Sequence, residues 1–295
     1  MKKIFFLLLA VQALWAQNNS GFDLLKLPGD VRMAALSYTG TALGGDAGMV
    51  YSNPAGVLRA PGSSVLFNYQ QGLLDATHSS MAALFRNAHG AWFVDADFLN
   101  IPGIEIRGDV PEDQPRGISN AFNLALGLGY ARYIGPWQVG IRIKYLFEKY
   151  YLASAPGWAA DVGVQYRNVA PGTDWGLVVQ NAGIMSALDK VATPLPLTVR
   201  SGFSYRLLEE VFDDTLLLLP ELIWIKGEEI SYAMGMLYRP LERVELLAGV
   251  RTRREALSWS LGAAMTYDDF TVRYAFSQPA NGLNGLNSFG FVFNF

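Results

Sequence analysis

The 295-residue chain has no cysteine, which excludes thiol catalysis, disulfides, Cys-based zinc sites and a lipid-modified N-terminal cysteine. It is also poor in charge: Asp, Glu, Lys and Arg make up 17%, against about 25% in an ordinary water-soluble domain. There is no basic excess, since 23 Lys and Arg stand against 26 Asp and Glu for a net charge of −3. Nucleic acid is therefore not an expected partner, because phosphate binding calls for a clustered basic surface. Long apolar runs are missing too. The longest, Ile4 to Ala16, spans 13 residues and is broken by Gln12, whereas a membrane-spanning helix needs roughly 20. What is abundant is apolar and aromatic: 51% hydrophobic residues, with 7 Trp, 14 Tyr and 17 Phe. That composition excludes a disordered chain. The 30 Gly and 14 Pro follow no collagen period. A charge-poor, aromatic-rich chain without spanning helices points to a membrane β-barrel.

Residues 1–16 have the make-up of a signal peptide. Met1-Lys2-Lys3 is a positive n-region, Ile4 to Val11 an apolar h-region, and Ala13-Leu14-Trp15-Ala16 ends on a small residue before Gln17. Export from a bacterial cell is expected.

The mature chain alternates with period two, the mark of transmembrane barrel strands. In Trp137 to Glu148, Trp137, Val139, Ile141, Ile143, Tyr145 and Phe147 share one face, and Gln138, Gly140, Arg142, Lys144 and Glu148 the other. Only Leu146 interrupts the polar row. Similar rows run through 121–133, 157–167 and 257–267, and the chain closes on Phe289, Phe291, Phe293 and Phe295. A soluble barrel would wet its charged face. Here the polar face is Gly, Ala, Ser, Asn and isolated charges, which suits a crowded lumen. Expected strands cover 63–71, 78–86, 90–98, 121–133, 137–150, 157–167, 174–181, 196–206, 215–226, 230–239, 244–252, 257–267, 270–277 and 288–295. That is fourteen, an even number as single-chain barrels with both termini periplasmic require. The longest connections, 99–120, 182–195 and 278–287, are expected to be extracellular. The register predicts Ile141 facing lipid and Arg142 facing the lumen, so that Ile141→Arg impairs assembly more than Arg142→Ile.

Residues 17–62 do not alternate, and precede a barrel at 63–295. Asp30 is placed to cap a helix through Val31 to Leu36, and Tyr51 to Gly56 reads as a turn. A polar, turn-rich segment ahead of a barrel is expected to be a plug in the lumen or a periplasmic cover. A fourteen-stranded barrel leaves a lumen that its own side chains do not fill, and Leu24, Leu25, Leu27, Met33 and Leu36 need burial. Asp30, Arg32 and Asp46 are expected to meet inward charges such as Arg142, Lys144 or Asp161.

The stretches Phe22-Asp23-Leu24-Leu25-Lys26-Leu27-Pro28, Arg32-Met33-Ala34-Ala35-Leu36, Asp46-Ala47-Gly48 and Asn53-Pro54-Ala55-Gly56 resemble the PorV/PorQ family. These are outer-membrane barrels of Bacteroidetes-like bacteria, related in architecture to FadL-type transporters of hydrophobic compounds. The likeness is specific over residues 22–60 and architectural elsewhere. The family commonly follows its Ala-Ala-Leu with Gly-Gly, where this chain has Ser37-Tyr38. The resemblance implies fourteen strands, an N-terminal segment folded into the barrel, and a plug motif of Arg32, Asp46, Asn53, Pro54 and Gly56. It also implies work with the type IX secretion system, binding cargo C-terminal domains or attaching them at the cell surface. The FadL-like architecture implies an alternative, a passive channel for hydrophobic molecules with Asn53-Pro54 near a hinge. A structural barrel with a fixed plug is the third reading.

No catalytic constellation is apparent, and neither an enzyme nor a cofactor is expected. His78 and His89 read as rim residues without metal-ligand spacing. Adjacent strand residues face opposite ways, so His78 cannot serve Ser79 as a base. Asp95, Asp97, Arg142, Lys144 and Asp161 read as a charge-balanced lumen network. Phe291, Phe293 and Phe295 read as a signal for the outer-membrane assembly machinery. Outer-membrane lipid is the expected surrounding.

Overall fold

The structure, a computed structural model, describes residues 20–72, 75–107, 113–207, 215–253, 256–280 and 284–295. The expected signal peptide lies outside these. The strands β1 (Ser64–Gln71), β2 (Thr77–Asn87), β3 (Gly90–Ile106), β4 (Gly117–Ile134), β5 (Trp137–Tyr150), β6 (Ala153–Ala170) and β7 (Thr173–Met185) form one half of the wall. Two short strands, β8 (Ala187–Leu188) and β9 (Val191–Ala192), pair only with each other. The other half comprises β10 (Thr198–Arg206), β11 (Thr215–Ile225), β12 (Ser231–Leu241), β13 (Val244–Arg253), β14 (Ala256–Tyr267), β15 (Phe270–Gln278) and β16 (Leu286–Asn294). Fourteen antiparallel strands close into one barrel, with β1 paired to β16 and Phe67 opposite Phe291.

Alternation decides which side chains face out. On β5, Ile141 is 49% exposed and Ile143 57%, whereas Arg142 and Lys144 between them are buried. The register expected for this strand is the register found. Aromatic pairs such as Trp137–Tyr166 and Tyr145–Trp158 join neighbouring strands on the outer face.

The connections depart from expectation at three places. The long loop at 99–120 is mostly strand: β3 and β4 continue past a bulge, pairing Ile104 with Ser119 and Ile106 with Gly117. The β-branched residues Ile101, Ile104, Ile106 and Ile118 sustain pairing beyond the Pro102-Gly103 interruption, where Gly103 takes a φ of +74°. The 182–195 connection is likewise shortened by the end of β7 and the β8–β9 hairpin. At the other end, the turn expected over 168–173 contracts to Pro171-Gly172, with Gly172 at φ +66°. The expected 278–287 loop falls partly outside the described residues, as does the 207–214 turn.

The hydrophobic core lies inside the wall. Four short helices, Asp23–Lys26, Val31–Ala35, Met49–Ser52 and Pro54–Arg59, precede β1. Val31, Leu36, Val50, Val57 and Leu58 are buried against the inward Leu66, Leu84, Phe93, Leu219, Leu237, Leu247 and Val292. A second cluster joins Phe22 and Leu24 to Leu99, Leu146 and Met185. Leu146, the break in the polar row of β5, is thus that strand's share of the contact. Each such side chain contributes roughly 1.5–3 kcal/mol by leaving water.

Candidate functional site

The N-terminal segment meets the wall through charge as well as packing. Asp30 and Asp46 both approach Arg273 of β15, Asp30 at 3.3 Å. Arg32 donates to both carboxylate oxygens of Glu245 on β13, at 2.9 and 3.1 Å. Glu221 on β11 accepts from the Gly40 and Thr41 backbone amides at 2.8 and 3.0 Å and from the Thr41 hydroxyl at 2.6 Å. Arg200 on β10 donates to the same carboxylate at 2.7 Å. These partners correct the sequence expectation, in which Arg142, Lys144 or Asp161 met the segment's charges. Those three are instead paired with one another, and Arg142 also with Asp95. Asp30 is also corrected as a cap. It stands at the N-cap of Val31–Ala35, but its side chain makes no capping bond, because the carboxylate turns to the Arg273 cation.

Burial pushes the Asp30 carboxyl above the usual range, outweighing Arg273. Burial pushes Asp46 the same way, but Arg273 and Arg32 together prevail and hold it below the usual range. Gly48 strengthens this by donating its amide to Asp46 at 2.9 Å.

Asn53 is fully buried. Its side-chain oxygen accepts from the Ala55 amide at 3.0 Å, capping Pro54–Arg59, and its side-chain amide donates to the Thr41 carbonyl at 2.8 Å. Pro54 at the first helical position fits because it has no amide to satisfy. Gly140 and Gly163 on the wall let this turn approach: a Cβ on Gly163 would strike the Asn53 oxygen, and one on Gly140 the Pro54-Ala55 backbone. A Cβ on Gly56 would in turn strike the Leu43 carbonyl.

The lumen charges form one network. Arg142 binds Asp95, lies 3.3 Å from Asp161 and 3.9 Å from Asp97, and sits 5.2 Å from the centre of the Tyr51 ring. Lys144 is 2.8 Å from Asp161 and donates to Asn181. His78 is buried on the inward face, 3.4 Å from Asp97, which corrects its reading as a rim residue. Its strand extends one residue further than expected, and its even position faces inward. Among the described residues, no group of three or more His, Asp or Glu is placed to hold a metal ion.

Among the described residues, the openings between segment and wall include two that border Tyr38. One holds about 50 Å³ and is lined by Leu24, Leu25, Leu27 and Met33 of the segment and by Ile223, Ile225, Arg142, Lys144 and Arg200 of the wall. A second, of about 260 Å³, lies beside Tyr38, Arg251, Ser258 and Ser277. Arg251 stacks on the Tyr38 ring at 4.9 Å.

The structure brings Arg32 and Asp46 together around Arg273 and Glu245, and places Asn53, Pro54 and Gly56 on the opposite wall. Phe291 and Phe295 face outward and are exposed, and Phe293 is half-buried. Sequence reasoning missed Glu221, Glu245 and Asp174. Isolated acids at inward positions of otherwise apolar strands were the available signal.

No protein-family model and no curated protein sequence matches the chain. Among solved structures it is similar to the Pseudomonas putida toluene transporter TodX, with a TM-score of 0.64 at 11% identity over 90% of this chain and 97% of that one. A TodX monoaromatic hydrocarbon channel lacking S2 and S3 gives 0.61 at 10% identity, over 93% and 100%. The chain has the fold of these fourteen-stranded outer-membrane barrels.

Proposed function

We propose that the protein is a channel for hydrophobic small molecules across a bacterial outer membrane, with residues 20–62 as its plug and the C-terminus at the periplasmic end. The carrying observation is the small cavity between Leu24, Leu25, Leu27 and Met33 of the segment and Ile223 and Ile225 of the wall. Charged and polar side chains, among them Asp97, Arg142, Lys144, Asn181 and Arg200, line the same cavity, and convergent polar groups beside apolar side chains fix a ligand's orientation in a small-molecule site. The cavity's 50 Å³ is well below the roughly 300 Å³ of a ligand pocket, so passage requires the segment to shift. The shared fold with an aromatic-hydrocarbon channel supports this reading over the secretion role. The test is toluene uptake by cells whose own outer-membrane hydrocarbon channels are deleted. Expression of the protein should raise uptake severalfold, and Ile223→Asp should abolish the gain while leaving an assembled barrel. Uptake equal to that of the deleted strain would overturn the proposal.

The secretion reading retains one specific support. Ile118, Leu152, Ile184 and Val191, at the end opposite the C-terminus, are 70–83% exposed, and a partner surface is one explanation of such apolar patches. A native strain lacking the protein that keeps hydrocarbon uptake but fails to attach cargo at its surface would establish it.

A further inference from the structure

Tyr38 borders both the opening of about 50 Å³ and the one of about 260 Å³. Its half-buried ring packs against the wall cluster of Ile223, Ile225 and Ala233, and also against the larger core that holds Leu36 and Leu219. The smaller opening is lined by the buried Arg142, Lys144 and Arg200. The larger one reaches the rim at the end opposite the C-terminus. There the pairing of β14 with β15 stops at Trp259 and Gln278, and Ala256, Ser258, Pro279 and Ala280 line the space beyond. One ring thus stands where the two openings meet.

The backbone beneath that ring has an unusual shape. Ser37 and Tyr38 have φ of +50° and +75°, the left-handed region in which a Cβ crowds the following carbonyl and glycine is the usual occupant. The helix Val31–Ala35 ends there. The Tyr38 amide donates to the Met33 carbonyl at 2.9 Å and the Ser37 amide to the Ala34 carbonyl at 3.2 Å, the closing bonds of a helix end that favours glycine. Contacts with the wall hold both residues in place. The Ser37 and Ser260 hydroxyls share a hydrogen bond of 2.7 Å, Arg200 donates to the Tyr38 carbonyl, and Arg251 lies 4.9 Å from the ring centre. Arg251 also donates to the Ser231 hydroxyl at 3.3 Å, which keeps its guanidinium on the wall whether or not the ring covers it. Backbone kept in a disfavoured region by its surroundings is found at ligand clamps and switch regions.

We propose that Tyr38 is the partition between the two openings, and that Arg251 makes passage selective for aromatic molecules. When Ser37 and Tyr38 leave the left-handed region, the ring moves off Arg251 and the openings join. An incoming aromatic ring then takes its place over the guanidinium, exchanging one cation–π contact for another. A saturated ring of the same size displaces Tyr38 without replacing that contact. The passage of ligand rests on the channel reading, whereas the partition and the stacking exchange rest on this geometry.

The test uses the full-length protein in detergent with Ile223→Cys, a position that lines the smaller opening. The chain has no native cysteine, so a thiol reagent reads that position alone. Benzyl and cyclohexylmethyl methanethiosulfonate are compared, each rate divided by that with free cysteine. The benzyl reagent should react about fivefold faster, the scale of one cation–π contact away from bulk water. Adding Arg251→Gln should bring the two rates together. Adding Tyr38→Ala should raise both about tenfold, since the closed arrangement loses its partition, and Tyr38→Phe, which keeps the ring, should leave both as they are. Heat-modifiable mobility checks that each protein is assembled. Equal benzyl and cyclohexylmethyl rates with Ile223→Cys alone overturn the aromatic selection, and rates unmoved by Tyr38→Ala overturn the partition. Gated, aromatic-selective reaction without toluene uptake by cells would support this inference and sink the channel reading. Uptake with rates unmoved by Tyr38→Ala would do the reverse.

Discussion

Arg273 stands between two carboxylates of the N-terminal segment, and its removal leaves both Asp30 and Asp46 buried without their main cation. Breaking a buried pair by removing one partner costs about 3–5 kcal/mol, so Arg273→Gln should release the segment at this wall. The pH response follows from the two shifts. Asp46, held low, contributes stability that is present above the ordinary carboxylate pKa and is lost only as pH falls through its depressed value. Asp30, held high, takes its proton first on acidification, and that uptake favours the folded form. Planar-bilayer conductance of the parent should therefore stay low from pH 7 to about pH 4 and rise only below it. Opening between pH 7 and 5 would assign the docking to some other group. Arg142 changes a second expectation. Ile141→Arg puts a cation on the lipid face at a cost of roughly 2–4 kcal/mol. Arg142→Ile leaves Asp95 and Asp161 buried without their guanidinium, at about 3–5 kcal/mol. The sequence reading ranked the lumen substitution as the milder. The network makes it at least as severe, and Asp95→Asn should partly rescue it, as urea unfolding in lipid vesicles would show.

The segment before β1 is built from helices too short to persist alone, and the inner wall supplies what they lack. Its shape was not legible in advance: the stretch Tyr51 to Gly56, read as a turn, is the end of one helix and the start of another, joined by Asn53. The error has a physical source. Helices of four to six residues carry no period, and their stability here is tertiary. Removing residues 22–60 should leave a barrel that assembles, because the strand ladder of β1 to β16 closes without them. It should then conduct ions where the intact protein conducts little. Gly163→Leu gives a gentler version, since the added side chain occupies the place of Asn53. A truncated protein without added conductance would show that the wall or the connections close the pore.

For the molecule as a whole, closure depends on β16, whose Phe289 and Phe291 pair with Tyr69 and Phe67 across the seam. Deleting Phe295 removes the backbone bond to Ser63 and the stacking on Phe293. The assembled, heat-modifiable form should fall in outer-membrane fractions. Unchanged levels and mobility would remove these phenylalanines as an assembly signal. The barrel itself could be read from local pattern. A period of two over some ten residues needs only neighbouring side chains, so all fourteen strands, the inward face of β5 and the even strand number were legible. Strand ends were less so, because β3 and β4 continue through a bulge that proline and glycine disguise as a loop. The network of Asp95, Asp97, Arg142, Lys144 and Asp161 was legible as a group of inward charges, but the pairings between segment and wall were not. Arg273 lies 227 residues from Asp46, and Glu245 lies 213 from Arg32. No local period relates such positions. Which acid meets which arginine is decided only when the wall has closed and the segment has taken its place, because the low-dielectric interior rewards the pairs that geometry brings together.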